Sequence, residues 1–393
     1  MRCCVGRAIP FEIMSIEIIP FSRAWSAPHE LDYLREALAG GQTAGDAMFT
    51  QRCHRWLEQS IGCQRAFLTP SCTAALEMAA LLLRIQPGDE VIVPSFTFVS
   101  TASAFALFGA RLVFADVMPD TLTLDMAQVE RLINPRTKAV VFVAYAGITP
   151  DPAPILAMCR ERGVAFIEDA AHALLARFNG RPLGSFGCMS TLSFHESKNF
   201  SCGEGGALLV NDPALIARAE ILREKGTNRA AHLRREIAKY SWVDLGSSYL
   251  SSDLCAAALL AQFDDAGVIQ SRRLRLWNQY FTRLSTWAAS LGVVLPTVPA
   301  GCEHPGHLFY ILFETHAQRE SAIAWLDAAG IKAYFHYLPL HLSDAGSRLG
   351  SSPLGCPITE SVSPRLLRLP LYPSMTEDQQ NRVIDRLVNF LAA

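Results

Sequence analysis

Short apolar runs alternate with helix-like stretches from residue 66 to residue 210, and this alternation constrains the fold of the 393-residue chain most strongly. The strand-like runs lie at 66–68, 90–93, 111–114, 139–143, 164–167, 191–194 and 207–210. Helical spacing of apolar residues is found between them, at 73–83, 98–108 and 155–162. A strand followed by a helix, repeated, predicts an α/β fold with a large, mostly parallel sheet covered on both faces. Ligands bind such sheets at the carboxyl ends of the strands, so polar residues there are the first candidates for function.

The pattern changes near residue 270, which indicates a second, smaller α+β unit. A long helical stretch (271–291) precedes a proline- and glycine-rich connection. An aromatic strand (308–313), a helix (317–329), a strand (333–337) and a closing helix (377–391) follow. We therefore expect a large domain over 19–265 and a small domain over 266–393, with a disordered extension over 1–18.

Composition excludes several classes of protein. The net charge is −2, which argues against a partner such as nucleic acid that is recognised by bulk electrostatics. The eleven cysteines form no Cys-x-x-Cys pair, so we expect buried thiols in a reducing compartment and neither a metal site nor a disulfide framework. The sequence contains no apolar run of about 18 or more residues, the length a membrane helix needs. A cytoplasmic protein without a membrane anchor is expected.

Lys198 is the leading candidate for a reactive residue. It is one of only five lysines in a chain with thirty arginines, and it follows the strand-like run at 191–194. Unlike arginine, lysine can lose its proton and then condense with a carbonyl group. An isolated lysine in a loop is usually a solvated surface residue, so the assignment depends on its neighbours.

Three further candidates follow strand-like runs, and each has an ordinary structural alternative. The turn at 68–73 opens a helix whose free N–H groups suit a phosphate, although Ser71 or Thr73 can equally be a simple N-cap. Asp169 can cap a helix or hold a protonated ring nitrogen, the partner that a pyridoxal ring requires. Phe98 can belong to the core or stack on a planar ring.

These candidates occur in the chain order of a pyridoxal phosphate (PLP) enzyme, and longer motifs make the resemblance specific. The motifs are LTPSCTAALEM (68–78), QPGDEVI (86–92), PSFTFVST (94–101), SFHESKN (193–199), REKGTNR (223–229), GSSYL (246–250) and FHYLPLH (335–341). The chain resembles the DegT/DnrJ-type PLP-dependent sugar-nucleotide aminotransferases. Within that family the motifs are closest to those of the transaminases that form dTDP-4-amino-4,6-dideoxygalactose. The resemblance runs from about residue 19 to the C-terminus and implies the PLP aminotransferase fold, fold type I.

The resemblance also implies a role for each matching residue. Lys198 holds PLP covalently and later moves the proton, Asp169 pairs with the pyridine nitrogen, and Phe98 stacks on the ring. The other implied cofactor contacts are Cys72, Thr73 and Ser193 at the phosphate, His172 near the ring oxygen, and Ser248 toward the phosphate of a neighbouring subunit. Ser248 stands where many relatives have asparagine, and the segment 201–206 is one residue shorter than the usual glycine run.

The resemblance further implies a substrate and an assembly. We expect amino transfer from glutamate to a nucleotide-linked 4-keto-6-deoxy sugar, dTDP-4-dehydro-6-deoxyglucose, for polysaccharide biosynthesis, in a homodimer with shared active sites. Candidate sugar contacts are Arg229, His336 and Tyr337, each of which can also be ordinary structure.

Several alternatives stay open at this point. They are the same chemistry on another keto-sugar nucleotide, including a 3-keto sugar, a catalytically silent PLP-binding regulator, and a nucleotide-binding module without PLP. A dehydratase of this fold has histidine in place of the lysine, so Lys198 argues against it. A Rossmann dehydrogenase is disfavoured because no Gly-x-Gly-x-x-Gly opens a helix after a strand.

Overall fold

A computed structural model of the chain describes residues 17–390 and is built around an eight-stranded sheet. Its strands are β1 (Arg65–Thr69), β2 (Glu90–Pro94), β3 (Arg111–Ala115), β4 (Thr137–Val143), β5 (Ala165–Asp169), β8 (Met189–Ser193), β9 (Gly206–Val210) and β12 (Gly350–Ser351). They lie in the order β1-β9-β8-β5-β4-β2-β3-β12. All pairings are parallel except those that β9 makes with β1 and β8. The predicted α/β class with a mostly parallel sheet is confirmed.

The central strands are apolar on both faces because helices cover both sides of the sheet. Ala139 and Val141 of β4 pack against the helices on one face of the sheet, whereas Val140 and Phe142 pack against those on the other face. The first face is covered by α3 (Cys72–Leu82), α4 (Ser100–Ala106) and α7 (Ile216–Arg223). The second face is covered by α1 (Glu30–Ala39), α2 (Met48–Ile61), α5 (Met126–Leu132), α6 (Ala153–Glu161) and α9 (Asp253–Asp264).

A second core lies in the C-terminal part of the chain. It is formed by α10 (Ala266–Leu291), α11 (His316–Asp327) and α14 (Glu377–Val388), packed on the antiparallel pair β11 (Phe309–Leu312) and β13 (Leu366–Leu369). Short elements complete the fold, namely α8 (Arg229–Leu233), α12 (Asp344–Leu349), α13 (Pro357–Val362) and the small sheet of β6 (Arg177–Phe178), β7 (Arg181–Pro182) and β10 (Cys302–Glu303).

The predicted domain limits can be compared with these contacts. Helix α10 begins at Ala266, beside the proposed division between 265 and 266. Ile19, however, packs in the second core and its backbone bonds to Gly330 and Lys332. The limits 19–265 and 266–393 stay predictions, and the extension predicted over 1–18 lies outside the described residues up to position 16.

The strand predicted at 333–337 is wrong. Only Tyr334 pairs with another backbone segment, through an isolated bridge to Arg368 of β13. Beyond Tyr334 the chain leaves β13, because the side chains of His336 and Tyr337 enter a cavity instead of a sheet face.

A polar contact fixes the end of this segment to the large sheet. His341 Nδ1 lies 2.6 Å from the hydroxyl of Ser95, which directly follows β2, and His341 Nε2 lies 3.1 Å from Glu360. The N–H of Leu340 donates to the carbonyl of Ser95 at 3.0 Å. The segment carrying His336 and Tyr337 is therefore anchored at the carboxyl edge of the sheet.

Three structural absences can be stated for residues 17–390. The nine cysteines within this range are free thiols. Within the same range no group of three or more His, Cys, Asp or Glu side chains is placed to hold a metal ion. No helix in the described part of the chain combines the length and apolarity required to cross a membrane.

Candidate active site

A cavity of about 630 Å³ opens at the carboxyl ends of the sheet strands and is closed on its other side by the second core. Nine of the residues selected from the sequence line it, namely Cys72, Thr73, Phe98, Asp169, His172, Ser193, Lys198, His336 and Tyr337. Arg229 and Ser248 do not. The carboxyl ends of β1, β2, β5 and β8 bring most of this set together, as the strand-end argument predicts.

Lys198 lies in the loop after β8, where its N–H donates to the carbonyl of His195 at 2.9 Å. Burial of the amine lowers its pKa from 10.5 to about 8, and the charge of Arg368 acts in the same direction. Cys72 and Asp169 oppose the shift without reversing it. A substantial fraction of the amine is therefore neutral near physiological pH, as a nucleophile or proton carrier requires.

We expect this shift to be measurable in the cofactor-free protein. A lowered pKa means that the neutral, reactive amine forms at lower pH, so acylation of Lys198 by acetic anhydride should be half-maximal at about pH 8. Lys332 is the internal control, because its bond to Asp327 raises the pKa of its amine. Peptide mapping across a pH series gives both profiles. If Lys198 were acylated only at the pH at which Lys332 reacts, the lowered pKa would be refuted.

Asp169 ends β5 with its carboxylate almost fully buried. Its two oxygens accept hydrogen bonds from the Thr101 hydroxyl at 2.7 Å and the Ala171 N–H at 3.2 Å. Burial raises the pKa of Asp169, whereas the two donors and the charge of Lys198 lower it. Because both bonds orient an acceptor, the carboxylate is prepared for a cationic partner in the cavity.

The turn between β1 and α3 forms a cradle for an anion. Ser71 is the N-cap, and its hydroxyl accepts from the Ala74 N–H at 3.1 Å. Cys72 and Thr73 are the first residues of the helix, so their N–H groups have no partner within it and lie at its positive end. Gly206 passes close beneath, since a Cβ there would lie 2.3 Å from the carbonyl carbon of Ser71 and 2.4 Å from the Cys72 nitrogen.

Aromatic rings also line the cavity. Phe98 is 58% exposed, which leaves its face free for a planar ligand. Its ring centroid is 6.4 Å from that of Tyr337, which stacks on His336 at 4.0 Å. His336 Nε2 lies 2.8 Å from the buried hydroxyl of Tyr145. No sequence pattern pointed to Tyr145, because it lies in a short 3₁₀ turn after β4.

His172 is stacked on His307, with ring centroids 4.2 Å apart. Burial lowers the pKa of both rings well below the ordinary value, so both are neutral. Asn199 donates to the Pro305 carbonyl at 3.1 Å, and its side-chain oxygen lies 2.8 Å from His307 Nδ1. That oxygen can only accept, so Nδ1 of His307 carries the proton.

Two arginines that were not predicted from the sequence also line the cavity. Arg273 of α10 is buried and donates to the carbonyls of Gly306 (3.1 Å) and His307 (2.5 Å). Arg368 projects from β13. The sequence feature that could have indicated Arg368 is its place inside the apolar run 366–369. Charged residues are rare in short buried strands unless they bind a partner or a ligand.

Arg229 and Ser248 lie together away from the cavity. Arg229 is paired with Glu224 at 3.8 Å, and Ser248 forms an isolated bridge with the same residue. Both are exposed. Their predicted roles stay predictions.

The residues of the cavity fit the PLP expected from the sequence. The lysine amine with its lowered pKa suits the aldehyde of PLP, and the buried carboxylate suits the pyridine nitrogen. The exposed phenylalanine suits the planar ring, and the helix N-terminus suits the phosphate. Lys198, Asp169, Phe98, Cys72 and Thr73 would hold the respective groups.

Comparison with known proteins supports an aminotransferase site in this cavity. Residues 26–388 match the DegT/DnrJ/EryC1/StrS aminotransferase family. The chain belongs to this family. It is an aminotransferase of fold type I, and the fold-type prediction is confirmed.

Solved structures with the same fold include three informative neighbours. The aminotransferase TlmJ from Streptoalloteichus hindustanus is 30% identical, with a TM-score of 0.87 over 95% of this chain and 99% of its own. DesV of S. venezuelae, solved with a ketimine intermediate, is 30% identical, with a TM-score of 0.86 over 96% of this chain and 99% of its own. The PLP form of the putative sugar aminotransferase Spr1654 from Streptococcus pneumoniae is 25% identical, with a TM-score of 0.86 over 95% of this chain and 98% of its own.

Proposed function

We infer that the chain is a PLP-dependent aminotransferase acting on a nucleotide-linked keto sugar. The main support for this function is that three groups line one cavity: the Lys198 amine, whose pKa is about 8, the buried Asp169 carboxylate and the N-terminus of α3. When bound, PLP supplies the aldehyde that takes up an amino group and a ring that withdraws electrons from the reacting carbon. Solved relatives in PLP and PMP forms support this cofactor.

We propose a separate role in the reaction for each of three side chains of the site. Lys198 would hold the cofactor, and its neutral amine would accept and return the proton at the reacting carbon. Asp169 would pair with the ring nitrogen, and the hydrogen bonds from Thr101 and Ala171 keep its carboxylate oriented. The neutral His172 offers a hydrogen-bonding ring without adding a positive charge.

The cavity lining supports a sugar nucleotide as the acceptor, because it includes aromatic and hydroxyl-bearing residues, among them Phe98, Tyr337 and Ser100. A neighbour is described as a putative sugar aminotransferase. The motif resemblance narrows the acceptor to dTDP-4-dehydro-6-deoxyglucose, with glutamate as donor and dTDP-4-amino-4,6-dideoxygalactose as product. Another keto-sugar nucleotide and a silent PLP-binding regulator are the alternatives.

We also propose a homodimer with shared active sites. The segment 223–250 carries Arg229, Ser248 and exposed apolar side chains, among them Trp242 (77%), Leu233 (64%) and Leu245 (63%). A second copy covering this surface would bury these side chains and bring the two polar residues to a cavity. The sequence-based expectation of a cytoplasmic enzyme in polysaccharide biosynthesis is part of the same proposal.

A panel of keto-sugar nucleotides tests the function. Purified protein loaded with PLP is incubated with glutamate and 4-keto or 3-keto sugars on dTDP, UDP or GDP, and amine products are quantified. We expect the 4-keto-6-deoxy dTDP sugar to give the highest kcat/KM. Preference for another member changes the substrate but not the class. Protein that binds PLP, yet leaves glutamate and every other donor unchanged, would support the silent regulator instead.

A further inference from the structure

His172 and His307 are two buried histidines whose rings stack on each other and line the cavity. The ring centroids are 4.2 Å apart, and the ring planes are inclined by 26°. Burial lowers the pKa of both rings well below the ordinary value, so each ring is neutral. A neutral imidazole has one donor and one acceptor nitrogen. The position of its proton therefore decides what each ring offers to a ligand.

The turn that follows β4 places the proton of His172. The N–H of Ala146 in this turn donates to Nδ1 of His172 at 3.4 Å, so Nδ1 is the acceptor and Nε2 carries the proton. Among residues 17–390, Nε2 of His172 has no hydrogen-bond partner of its own. Because the ring lines the cavity, this unpaired N–H is available to a ligand that supplies an acceptor atom.

Asn199 fixes the ring on which His172 is stacked. Its amide nitrogen donates to the carbonyl of Pro305 at 3.1 Å, which leaves the amide oxygen to accept from Nδ1 of His307 at 2.8 Å. Arg273 donates to the backbone carbonyl of His307. His307 is thus held at both its side chain and its backbone. In contrast, His172 is held by one long hydrogen bond and by the stack.

The parts that hold the two rings form one closely packed unit. Gly147, in the turn after β4, has a φ of 77°, and a Cβ there would lie 2.2 Å from Pro305 Cδ and 2.7 Å from the His172 carbonyl oxygen. A second cavity of only about 10 Å³ is lined by both histidines, by Asn199 and by Lys198, which directly precedes Asn199 in the chain. A shift of His307 would therefore be transmitted to His172 beside the reactive amine.

We propose that His307 and Asn199 are positioning residues that hold His172 as a hydrogen-bond donor toward the ring oxygen of PLP. The proposal rests on the PLP-dependent function inferred above and adds two residues to it. A hydrogen bond donated to an oxygen that carries negative charge is stronger than one between neutral groups, so a misplaced His172 should weaken PLP binding. His307 acts in this proposal through His172.

A double-mutant cycle on PLP binding tests this. Cofactor-free protein is titrated with PLP, and the dissociation constant is obtained from the visible absorbance. We expect His172→Ala to raise the constant about 10- to 100-fold, as loss of a charge-assisted hydrogen bond implies. His307→Ala should raise it about 3- to 30-fold, since it can lose no more than the bond that His172 makes. The variant with both substitutions should match His172→Ala within about 2-fold, because His307 then has nothing to position.

Three more variants complete the series. His307→Phe keeps a flat ring for the stack but cannot bond to Asn199, so its dissociation constant should lie between those of the wild type and His307→Ala. Asn199→Ala should act in the same direction. His316→Ala, at an exposed histidine of α11, is the matched control and should leave the constant unchanged. If His307→Ala does not fold, His307→Phe takes its place in the cycle.

A second measurement needs neither cofactor nor turnover. Long-range ¹H–¹⁵N NMR spectra of histidine-labelled, cofactor-free protein distinguish a ring nitrogen that carries a proton from one that does not. Spectra of the His172→Ala and His307→Phe variants assign the two rings among the ten histidines of the chain. We expect the proton on Nε2 of His172 and on Nδ1 of His307.

The outcomes separate this proposal from the proposed function. Additive losses in the variant with both substitutions would show that His307 contributes by packing alone, and would overturn the proposal. A proton on Nδ1 of His172 would also overturn it, as would unchanged PLP affinity in both His307 variants. A protein that binds PLP but aminates no keto sugar would contradict the proposed function, and the cycle would still decide the role of His307.

Discussion

Lys198→Ala should abolish amino transfer, with a fall in kcat of at least about 1,000-fold, because alanine can neither hold the cofactor nor move a proton. The loss should not follow from unfolding, since the loop bonds through the backbone N–H of Lys198 rather than through its amine. The measurement is amine product formed per enzyme under saturating glutamate and acceptor, together with a thermal melt of the variant.

Lys332→Ala is the matched control, because Lys332 is a lysine outside the cavity whose amine pairs with Asp327. Borohydride reduction of the wild-type protein, followed by peptide mapping, should place a pyridoxyl label on Lys198 and leave Lys332 unlabelled. A Lys198→Ala variant with ordinary turnover, or a label on a different residue, would refute the assignment.

Much of the large sheet could be predicted from sequence because its longer strands are short apolar runs, several of them separated by helical spacing. The run at 139–143 became β4 (Thr137–Val143), and the run at 207–210 became β9 (Gly206–Val210). The antiparallel direction of β9 was not predictable, because apolarity on both faces is the same in either direction. The two-residue strands β6, β7, β10 and β12 carry no periodicity at all.

Some of the cavity residues could also be predicted from the sequence, and others could not. Lys198 and Asp169 could be located because strand ends converge at one edge of a parallel sheet. Arg368 could not, because it reaches the cavity from a separate two-stranded sheet that only tertiary packing places there. The strand predicted at 333–337 failed for a related reason. Its aromatic residues favour a strand, yet the rings of His336 and Tyr337 line the cavity instead of packing on a sheet face.

Asp169→Ala should slow the donor half-reaction by about 150- to 5,000-fold, because leaving a buried cation without its partner costs about 3–5 kcal/mol. Asp169→Asn keeps the shape: its single amide oxygen can accept from the Ala171 N–H while its NH2 group donates to the Thr101 hydroxyl. A comparable loss in that variant would therefore assign the effect to the charge. Single-turnover spectra with glutamate give the rate directly.

Two further variants separate charge from orientation at Asp169. Thr101→Val removes the 2.7 Å hydrogen bond but keeps the carboxylate, so we expect a loss of only about 3- to 10-fold. Because burial raises the pKa of Asp169, the cofactor-free protein should tolerate Asp169→Asn without a lower melting temperature, whereas the stabilisation gained on adding PLP should shrink. Near-wild-type rates in both Asp169 variants would show that this carboxylate does not support the cofactor ring, and its hydrogen bonds would then be those of an ordinary strand-end cap.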